Sequence, residues 1–188
     1  MLKFLESGGF MKNILYVDCD GVIFNTIETA FNMMKENNLD INNHKLVDNF
    51  FINTRWDILL KKSIIINDAI NKVKNISNKQ IYDDVIILTK LSGNYYEEGL
   101  KRETFSLLLP DTKVITLPRN YDKASVVPSK NNILIDDEEK NVISWNKNGG
   151  IGIKFMKDIV DLDHDIINDL DDIENTNGVK LLKKTRFL

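Results

Sequence analysis

Two aspartates, Asp18 and Asp20, follow the first apolar run of the chain, and Gly21 comes directly after them. Side chains alternate along a strand, so two carboxylates at i and i+2 can converge where the strand ends, and a glycine lets the backbone turn sharply around them. Converging carboxylates repel each other unless a cation offsets their charge, and Mg²⁺ prefers oxygen ligands of this kind. The motif therefore predicts a metal ion, a nucleophile and an acid/base together; a turn that only caps a helix is the alternative.

Further polar residues follow other apolar runs of the same type. Thr89 comes directly after one run, where its hydroxyl could hold an anionic oxygen, and Asp136 and Asp137 come directly after another. The loop before the second of these runs carries Lys123 and Lys130, either of which could offset negative charge. Each feature alone is typical of a strand former or a helix cap. Capping does not account for such residues at four strand ends in this order, so we expect one site.

The elements that position these residues can be read from hydrophobic patterning. Short, nearly continuous apolar runs are typical of strands buried on both faces of a parallel sheet. Helix-like spacing separates several of them, which favours the α/β class: a three-layer, Rossmann-like sandwich with a parallel five-stranded sheet. The five predicted strands cover residues 14–17, 85–88, 114–117, 133–135 and 151–153, and the clearest helices cover residues 95–109 and 138–148.

The segment between the first two predicted strands has helical patterns but no clear strand. It is too long for a simple crossover, so we predict a small helical cap inserted after the first strand, over the carboxyl ends of the strands, where such sheets bind ligands. Helices packed on the flank of the sheet are the alternative. The predicted domains are a catalytic core (residues 11–25 and 83–157), the cap (residues 26–82), and a C-terminal solvated acidic helix with a basic tail (residues 158–188).

Three aromatic residues in the cap, Phe50, Phe51 and Trp56, are candidates for substrate binding. A flat aromatic wall could stack on a nucleobase. The alternative is that these side chains form the small apolar core of the cap itself.

The composition excludes several classes of function. The 188 residues have a formal net charge of −3 and no strongly basic stretch, so we expect no stable nucleic-acid binding. No apolar stretch is long enough to span a membrane, and residues 1–10 lack the apolar core of a signal peptide. One cysteine and two histidines offer little for a disulfide, a zinc site or a hydrolase triad. We expect a cytoplasmic protein that acts on a small phosphorylated partner, and a homodimer is left open.

The ordered motifs resemble those of the haloacid dehalogenase (HAD) superfamily of phosphohydrolases. They are the Asp-x-Asp-Gly-Val of residues 18–22, the Ile-Leu-Thr of residues 87–89, a loop lysine and the Ile-Leu-Ile-Asp-Asp of residues 133–137. Residues 101–115 and 132–153 are similar to the 5′(3′)-deoxyribonucleotidases, the cytosolic type C 5′-nucleotidases. The resemblance spans about residues 13–155, and it is poor in the cap.

The resemblance implies a phosphatase that works through an aspartyl-phosphate intermediate. Asp18 would be the nucleophile, and Asp20 would protonate the leaving group and then activate water. Mg²⁺ would bridge Asp18 and the phosphate, with the backbone carbonyl of Asp20 and the side chain of Asp137 as further ligands, while Asp136 orients or assists. The implied substrate is a (deoxy)nucleoside monophosphate.

The resemblance also implies how the phosphate is held. Thr89 would donate a hydrogen bond to a phosphoryl oxygen, and Lys123 would pair with the phosphate and with Asp18; Lys130 competes for this role. Two other functions remain open: a phosphatase for a sugar phosphate or a nucleic-acid 3′-phosphate end, and a metal-binding interaction module without catalysis.

Overall fold

The architecture is a single parallel sheet between layers of helices. A computed structural model of the chain describes residues 13–156 and 165–186. The sheet has six strands in the order β3-β2-β1-β4-β5-β6, and every neighbouring pair is parallel. The strands are β1 (Ile14–Val17), β2 (Asp84–Leu91), β3 (Lys113–Pro118), β4 (Ile133–Asp136), β5 (Ile151–Phe155) and β6 (Ile166–Ile167). The α/β class and the five predicted strands are confirmed; the sheet has a sixth strand that was not predicted.

Strand β1 lies at the centre because its side chains are apolar on both faces. Leu15 and Val17 belong to one buried cluster, whereas Tyr16 belongs to the cluster on the opposite face. Val17 pairs with Ile87 of β2 and with Ile135 of β4, so the carboxyl ends of these three strands meet at one edge.

Helices cover the positions that the hydrophobic spacing predicted, with small differences at their ends. In α2, the side chain of Asn43 caps the first turn by accepting hydrogen bonds from the backbone amides of Lys45 and Leu46. The helices are α1 (Thr26–Glu36), α2 (His44–Asn53), α3 (Trp56–Lys62), α4 (Ala69–Asn78), α5 (Glu97–Leu108), α6 (Lys123–Val126), α7 (Glu139–Lys147) and α8 (Asn177–Arg186), with 3-10 helices at Ile66–Asp68 and Leu170–Asn175.

The helices before β2 fall into two groups. Ala30 of α1 and Trp56 and Leu59 of α3 form a small apolar cluster separate from the sheet. By contrast, Ile70 and Val73 of α4 belong to the main buried cluster against the sheet. Within the predicted cap, α4 therefore packs on the flank of the sheet, as the alternative interpretation expected. The domain boundaries themselves stay predictions.

The C-terminal segment differs from the solvated helix that the sequence predicted. Residues 158–164 and 187–188 of that segment lie outside the described residues. The remainder adds β6 to the sheet and buries Leu170, Ile173 and Val179 in the main cluster. Leu170 and Ile173 lie three residues apart in a 3-10 helix, where such positions share one face. Acidic neighbours obscured this apolar face in the sequence.

The helices of the described parts of the chain are all too short or too polar to cross a bilayer.

Candidate active site

The four predicted aspartates meet at the carboxyl edge of the sheet, where the strand order changes direction between β1 and β4. Asp18 follows β1 directly, and Asp136 is the last residue of β4. The backbone amide of Asp18 donates a hydrogen bond of 3.0 Å to the carbonyl of Ile135, which fixes the two strand ends side by side. Ligands bind at such switch points in open α/β sheets.

Lys123 pairs with two of the predicted carboxylates. It is the first residue of α6 and fully buried, and its Nζ lies 2.9 Å from Asp18 Oδ1 and 2.7 Å from Asp136 Oδ2. Burial alone would lower the pKa of Lys123, but the charges of Asp136 and Asp18 outweigh it and raise that pKa. Lys130 is exposed and lies beside Gly149, which precedes β5 and so belongs to the opposite edge of the sheet. Of the two lysines, only Lys123 is at the site.

Three carboxylates form a group that could hold a metal ion. One side-chain oxygen from each of Asp18, Asp136 and Asp137 lies within 4.8 Å of the others. Burial raises the pKa of Asp18 well above its usual value although Lys123 opposes the shift, and burial with the nearby charges of Asp136 and Asp20 raises the pKa of Asp137 to about 7. Lys123 and Lys154 lower the pKa of Asp137 but do not outweigh burial and the neighbouring carboxylates, and a divalent cation with oxygen ligands fits this group.

Asp136, the last residue of β4, and Asp137, which follows it, differ in how strongly their side chains are held. Asp136 is fully buried, and its carboxylate accepts hydrogen bonds from Lys123, from the side-chain amide of Asn141 and from the backbone amide of Glu138. Asp137 is partly exposed and lines the pocket described below. Asp137 thus has the more accessible carboxylate, whereas the carboxylate of Asp136 is fixed by its hydrogen bonds.

Gly21 allows the close approach of the two acidic loops. Its φ is +78°, a conformation that L side chains rarely adopt. A Cβ atom at this position would lie 2.0 Å from Asp137 Oδ2. The glycine after the two aspartates therefore serves both the turn and the position of the Asp137 carboxylate.

Asp20 is held by three donors. Its Oδ1 accepts a hydrogen bond of 2.6 Å from Thr26, while its Oδ2 lies 2.5 Å from Lys101 Nζ and 3.2 Å from Thr89 Oγ1. Thr89 does not follow its strand, as the sequence predicted, but lies inside β2, which extends to Leu91. Because Thr89 is fully buried and its hydroxyl contacts Asp20, a contact to phosphate stays a prediction.

A pocket of about 410 Å³ opens above these carboxylates. Asp18, Asp20 and Asp137 line its core side, and Phe51 and Trp56 are among the cap residues that line the other side. Trp56 is 3% exposed, and its Nε1 donates a hydrogen bond to the carbonyl of Phe51.

The three candidate aromatic residues therefore differ. Phe50 packs in the small cap cluster and is not among the residues that line the pocket. Trp56 is buried in the small cap cluster and is also one of the residues that line the pocket. Phe51 is partly buried and remains the main aromatic candidate for substrate contact.

Several polar residues of the site were not predicted from the sequence. Lys90 Nζ donates a hydrogen bond of 2.7 Å to the side-chain carbonyl of Asn141, and both residues line the pocket. Arg119 forms an ion pair with Asp48 across the pocket mouth, between the loop after β3 and α2. Lys101 reaches Asp20 from helix α5. In the sequence these residues look like ordinary surface residues, and only the position of Lys90 after Thr89 could have indicated its role.

Comparisons with known proteins address the fold. No family model matches the sequence, and no curated protein matches it. A haloacid dehalogenase-like hydrolase from Xanthomonas campestris is similar in structure, with a TM-score of 0.58 and 15% identity over 94% of this chain and 98% of that chain. The magnesium-bound HAD hydrolase YfnB from Bacillus subtilis has a TM-score of 0.55 and 15% identity over 88% and 98%.

A third similar structure is described as a phosphatase. It is the HAD phosphatase from Thermococcus onnurineus, with a TM-score of 0.54 and 13% identity over 88% of this chain and 97% of that chain. None of these three structures is described as a nucleotidase, so the resemblance to that subgroup stays a prediction. At these identities the likeness concerns the fold, and the chain has the α/β fold of the HAD hydrolases.

Proposed function

We propose that the protein is a Mg²⁺-dependent phosphomonoesterase that works through an aspartyl-phosphate intermediate. The observation that carries the proposal is the position of Asp18 at the pocket, paired with Lys123 at 2.9 Å, with Asp20 two residues further along the same loop. This supplies a nucleophile, a fixed cation and a second carboxylate beside one cavity, as phosphoryl transfer requires.

The acidic group supports the metal part of the proposal. Asp18, Asp137 and the backbone carbonyl of Asp20 would hold the ion, with Asp136 as the support that orients its neighbours. A bound Mg²⁺ would neutralise charge on the phosphoryl group and so reduce its repulsion from the carboxylates. The magnesium named for the Bacillus subtilis structure agrees with this assignment.

The side chains divide the reaction into two displacements. In the first, which starts with Asp20 in its protonated form, a carboxylate oxygen of Asp18 bonds to phosphorus, the bond between phosphorus and the leaving oxygen breaks, and Asp20 gives that oxygen its proton. In the second, Asp20 takes a proton from water while the water oxygen bonds to phosphorus and the bond to Asp18 breaks. Inorganic phosphate leaves, and both aspartates return to their starting states. Lys123 stays paired with the nucleophile and with the charge of the phosphoryl group.

We further propose a (deoxy)nucleoside monophosphate as the substrate, on the basis of Phe51 in the pocket wall. One observation favours a second candidate, a sugar phosphate. Much of the remaining wall is polar and suits a leaving group rich in hydroxyls, since it includes Lys90, Ser92 and Arg119. A metal-binding module without catalysis has less support, because each residue type that the chemistry needs is present at the pocket.

Hydrolysis of a simple aryl phosphate tests the reaction. We expect the wild-type protein to release phosphate in the presence of Mg²⁺, EDTA to suppress this release, and Asp18→Asn to lower kcat by about 10⁴-fold or more, because the amide cannot act as the nucleophile. Asp111→Asn, an exposed residue in the loop between α5 and β3, is the matched control and should keep full activity. Full activity of Asp18→Asn would contradict the mechanism.

A panel of phosphorylated metabolites tests the substrate. Nucleoside 5′- and 3′-monophosphates should give higher kcat/KM values than sugar phosphates if Phe51 stacks on a base. The reverse order would favour the second candidate, and the absence of turnover throughout the panel with Mg²⁺ still bound would favour the non-catalytic module.

A further inference from the structure

A second buried lysine, Lys101 of α5, lies beside the proposed acid/base. Its side chain is fully buried, and its Nζ lies 2.5 Å from Asp20 Oδ2, 2.8 Å from Glu97 Oε1 and 3.1 Å from Thr89 Oγ1. Its Nζ also donates a hydrogen bond of 3.2 Å to the carbonyl of Lys90. The ammonium is therefore surrounded by acceptors, and one of them is a carboxylate proposed to act in catalysis.

Lys101 is held in its charged ammonium form in this position. Burial alone would lower the pKa of a lysine, but here the negative charges of Asp20 and Glu97 outweigh burial and raise that pKa. Glu97 is itself buried and also accepts hydrogen bonds from the amide and hydroxyl of Ser92. The two acidic partners of Lys101 thus come from different places, one from the catalytic loop and one from its own helix.

We propose that Lys101 is a positioning residue that fixes the orientation of the Asp20 carboxylate and connects it to the cap. The inference rests on the proposed function, because it explains what orients the side chain of Asp20 for its part in that reaction. Asp20 would otherwise rotate about its side-chain bonds. Lys101 and Thr89 hold one oxygen from the core, and Thr26 of α1 holds the other.

The connection to the cap runs through Trp56. The ring of Trp56 packs over the ammonium of Lys101, with 4.8 Å from Nζ to the ring centroid, an arrangement that is attractive for a cation. Trp56 Nε1 donates a hydrogen bond to the carbonyl of Phe51, and the hydroxyl oxygen of Ser92, which donates to Glu97, lies 3.1 Å from the same carbonyl. The turn between α2 and α3 and the acid/base are therefore held by the same cluster.

Stability alone is a weak reason for this arrangement. A buried ion pair gains little over well-packed apolar residues of the same volume, because desolvation of the charges is costly. A cluster that buries Lys101 together with Glu97 next to a catalytic carboxylate is better explained by the need to hold Asp20 in one orientation. Such precision matters because a small misplacement of a catalytic group lowers the rate strongly.

The test compares two leaving groups in the same full-length, Mg²⁺-saturated protein. The variant is the double substitution Glu97→Gln/Lys101→Met, because Lys101→Met alone leaves a buried carboxylate without its partner. An alkyl phosphate needs its leaving oxygen protonated, whereas an aryl phosphate with a stable phenolate does not. We expect kcat/KM for the alkyl phosphate to fall about 10²-fold more than kcat/KM for the aryl phosphate.

Two further variants make the result specific. Asp20→Asn should show the same preference for the aryl substrate, and its combination with the double substitution should add little, because both changes remove one function. Glu103→Gln, at an exposed position on the same helix as Lys101 and away from the pocket lining, should keep the wild-type ratio of the two substrates. Retention of the fold is checked by the thermal melting of each variant.

The outcomes separate this inference from the proposed function. A wild-type protein that hydrolyses neither substrate would overturn both. A wild-type protein that is active, with the double variant slowed equally on both substrates or not at all, would overturn the role of Lys101 alone. If the double variant fails to fold, Lys101→Arg and Trp56→Leu decide, and an unchanged substrate ratio in both would count against the inference.

Discussion

Two buried lysines, Lys123 and Lys101, differ in what surrounds them. Lys123 pairs with Asp18 and Asp136, which both belong to strand ends of the sheet. Lys101 pairs with Asp20 and contacts Trp56, a residue of the helical cluster outside the sheet. Both ammonium groups are fully buried and both lie next to two carboxylates. The same kind of ion pair is therefore built once with carboxylates from the ends of strands and once with a contribution from the cap.

This difference indicates a division of labour. The Lys123 cluster depends on the sheet, whose strand ends are fixed by backbone pairing, and it contacts the nucleophile of the proposed reaction. The Lys101 cluster depends on the position of the turn between α2 and α3, and it contacts the acid/base. We therefore expect replacement of Lys123 to lower kcat/KM equally for all substrates. Replacement of Lys101 should lower kcat/KM by an amount that depends on the leaving group.

Replacement of Lys123 should give the largest change in activity among the variants that test this comparison. Lys123→Met should lower kcat/KM by about 10²–10³-fold, because a fixed cation that stabilises charge on the phosphoryl group is lost. The loss should be the same for aryl and alkyl phosphates, since protonation of the leaving group is not affected. Steady-state kinetics with both substrates measure it.

Lys130→Met is the matched control for this variant. Lys130 is an exposed lysine near the opposite edge of the sheet, so the control should keep wild-type kinetics. If Lys123→Met lowered kcat/KM much more for the alkyl phosphate than for the aryl phosphate, the proposed difference between the two lysines would be wrong.

The sequence predicts the two clusters to different degrees. Asp18, Asp20, Asp136 and Asp137 could be placed together because apolar runs mark buried parallel strands, and the carboxyl ends of such strands share one edge. The same logic extends to Lys123, which precedes β4. Lys101 lies 81 residues from Asp20 on a helix with an ordinary charge pattern, and no periodicity distinguishes it from a surface lysine.

The cap and the C-terminal segment were harder to predict for a related reason. Trp56 could face either substrate or cap core, and only the packing of Ala30 and Leu59 against it decides between these positions. β6 has two residues, too few for a strand pattern, and it pairs only because β5 offers a free edge. Both cases depend on tertiary contacts that local patterning does not contain.

The acidic group on the Lys123 side should bind Mg²⁺ in competition with protons. The pKa of Asp137 is raised to about 7, so in the metal-free protein this carboxyl is protonated below pH 7 and charged above it. A metal ligand must lose its proton, so the affinity for Mg²⁺ should fall about tenfold for each pH unit below 7 and level off above it. Calorimetric titration with Mg²⁺ at several pH values measures the affinity and the proton release.

Asp137→Asn is the control for this titration. The amide has no proton to lose, so the part of the pH dependence that comes from this residue should disappear while the overall affinity falls. An affinity of the wild-type protein that does not change between pH 5.5 and pH 7 would contradict the assignment of Asp137 as a ligand.

The smallest expected changes are those in stability when two glycines are replaced. Gly21 lies in the loop of Asp18 and Asp20, and Gly99 lies in the helix of Lys101. Gly21→Ala should destabilise the fold by about 1–2 kcal/mol, because an L residue is strained at its φ of +78°. Its Cβ would also displace the carboxylate of Asp137, so the affinity for Mg²⁺ should fall as well. A Cβ added at Gly99, in the same helix as Lys101, would have no atom of the described residues within 4 Å apart from its chain neighbours and the backbone of its own helix.

Gly99→Ala should therefore stabilise the protein by about 0.5–1 kcal/mol, as alanine does in an exposed helix. Urea unfolding with and without Mg²⁺ compares the two variants. The stabilisation by Mg²⁺ should be smaller in Gly21→Ala than in the wild type and unchanged in Gly99→Ala, because only Gly21 lies against a proposed ligand. Equal stabilisation by Mg²⁺ in both variants would mean that the Gly21 turn supports the fold and not the metal site. The contact between the loop of Gly21 and Asp137 would then have no part in Mg²⁺ binding.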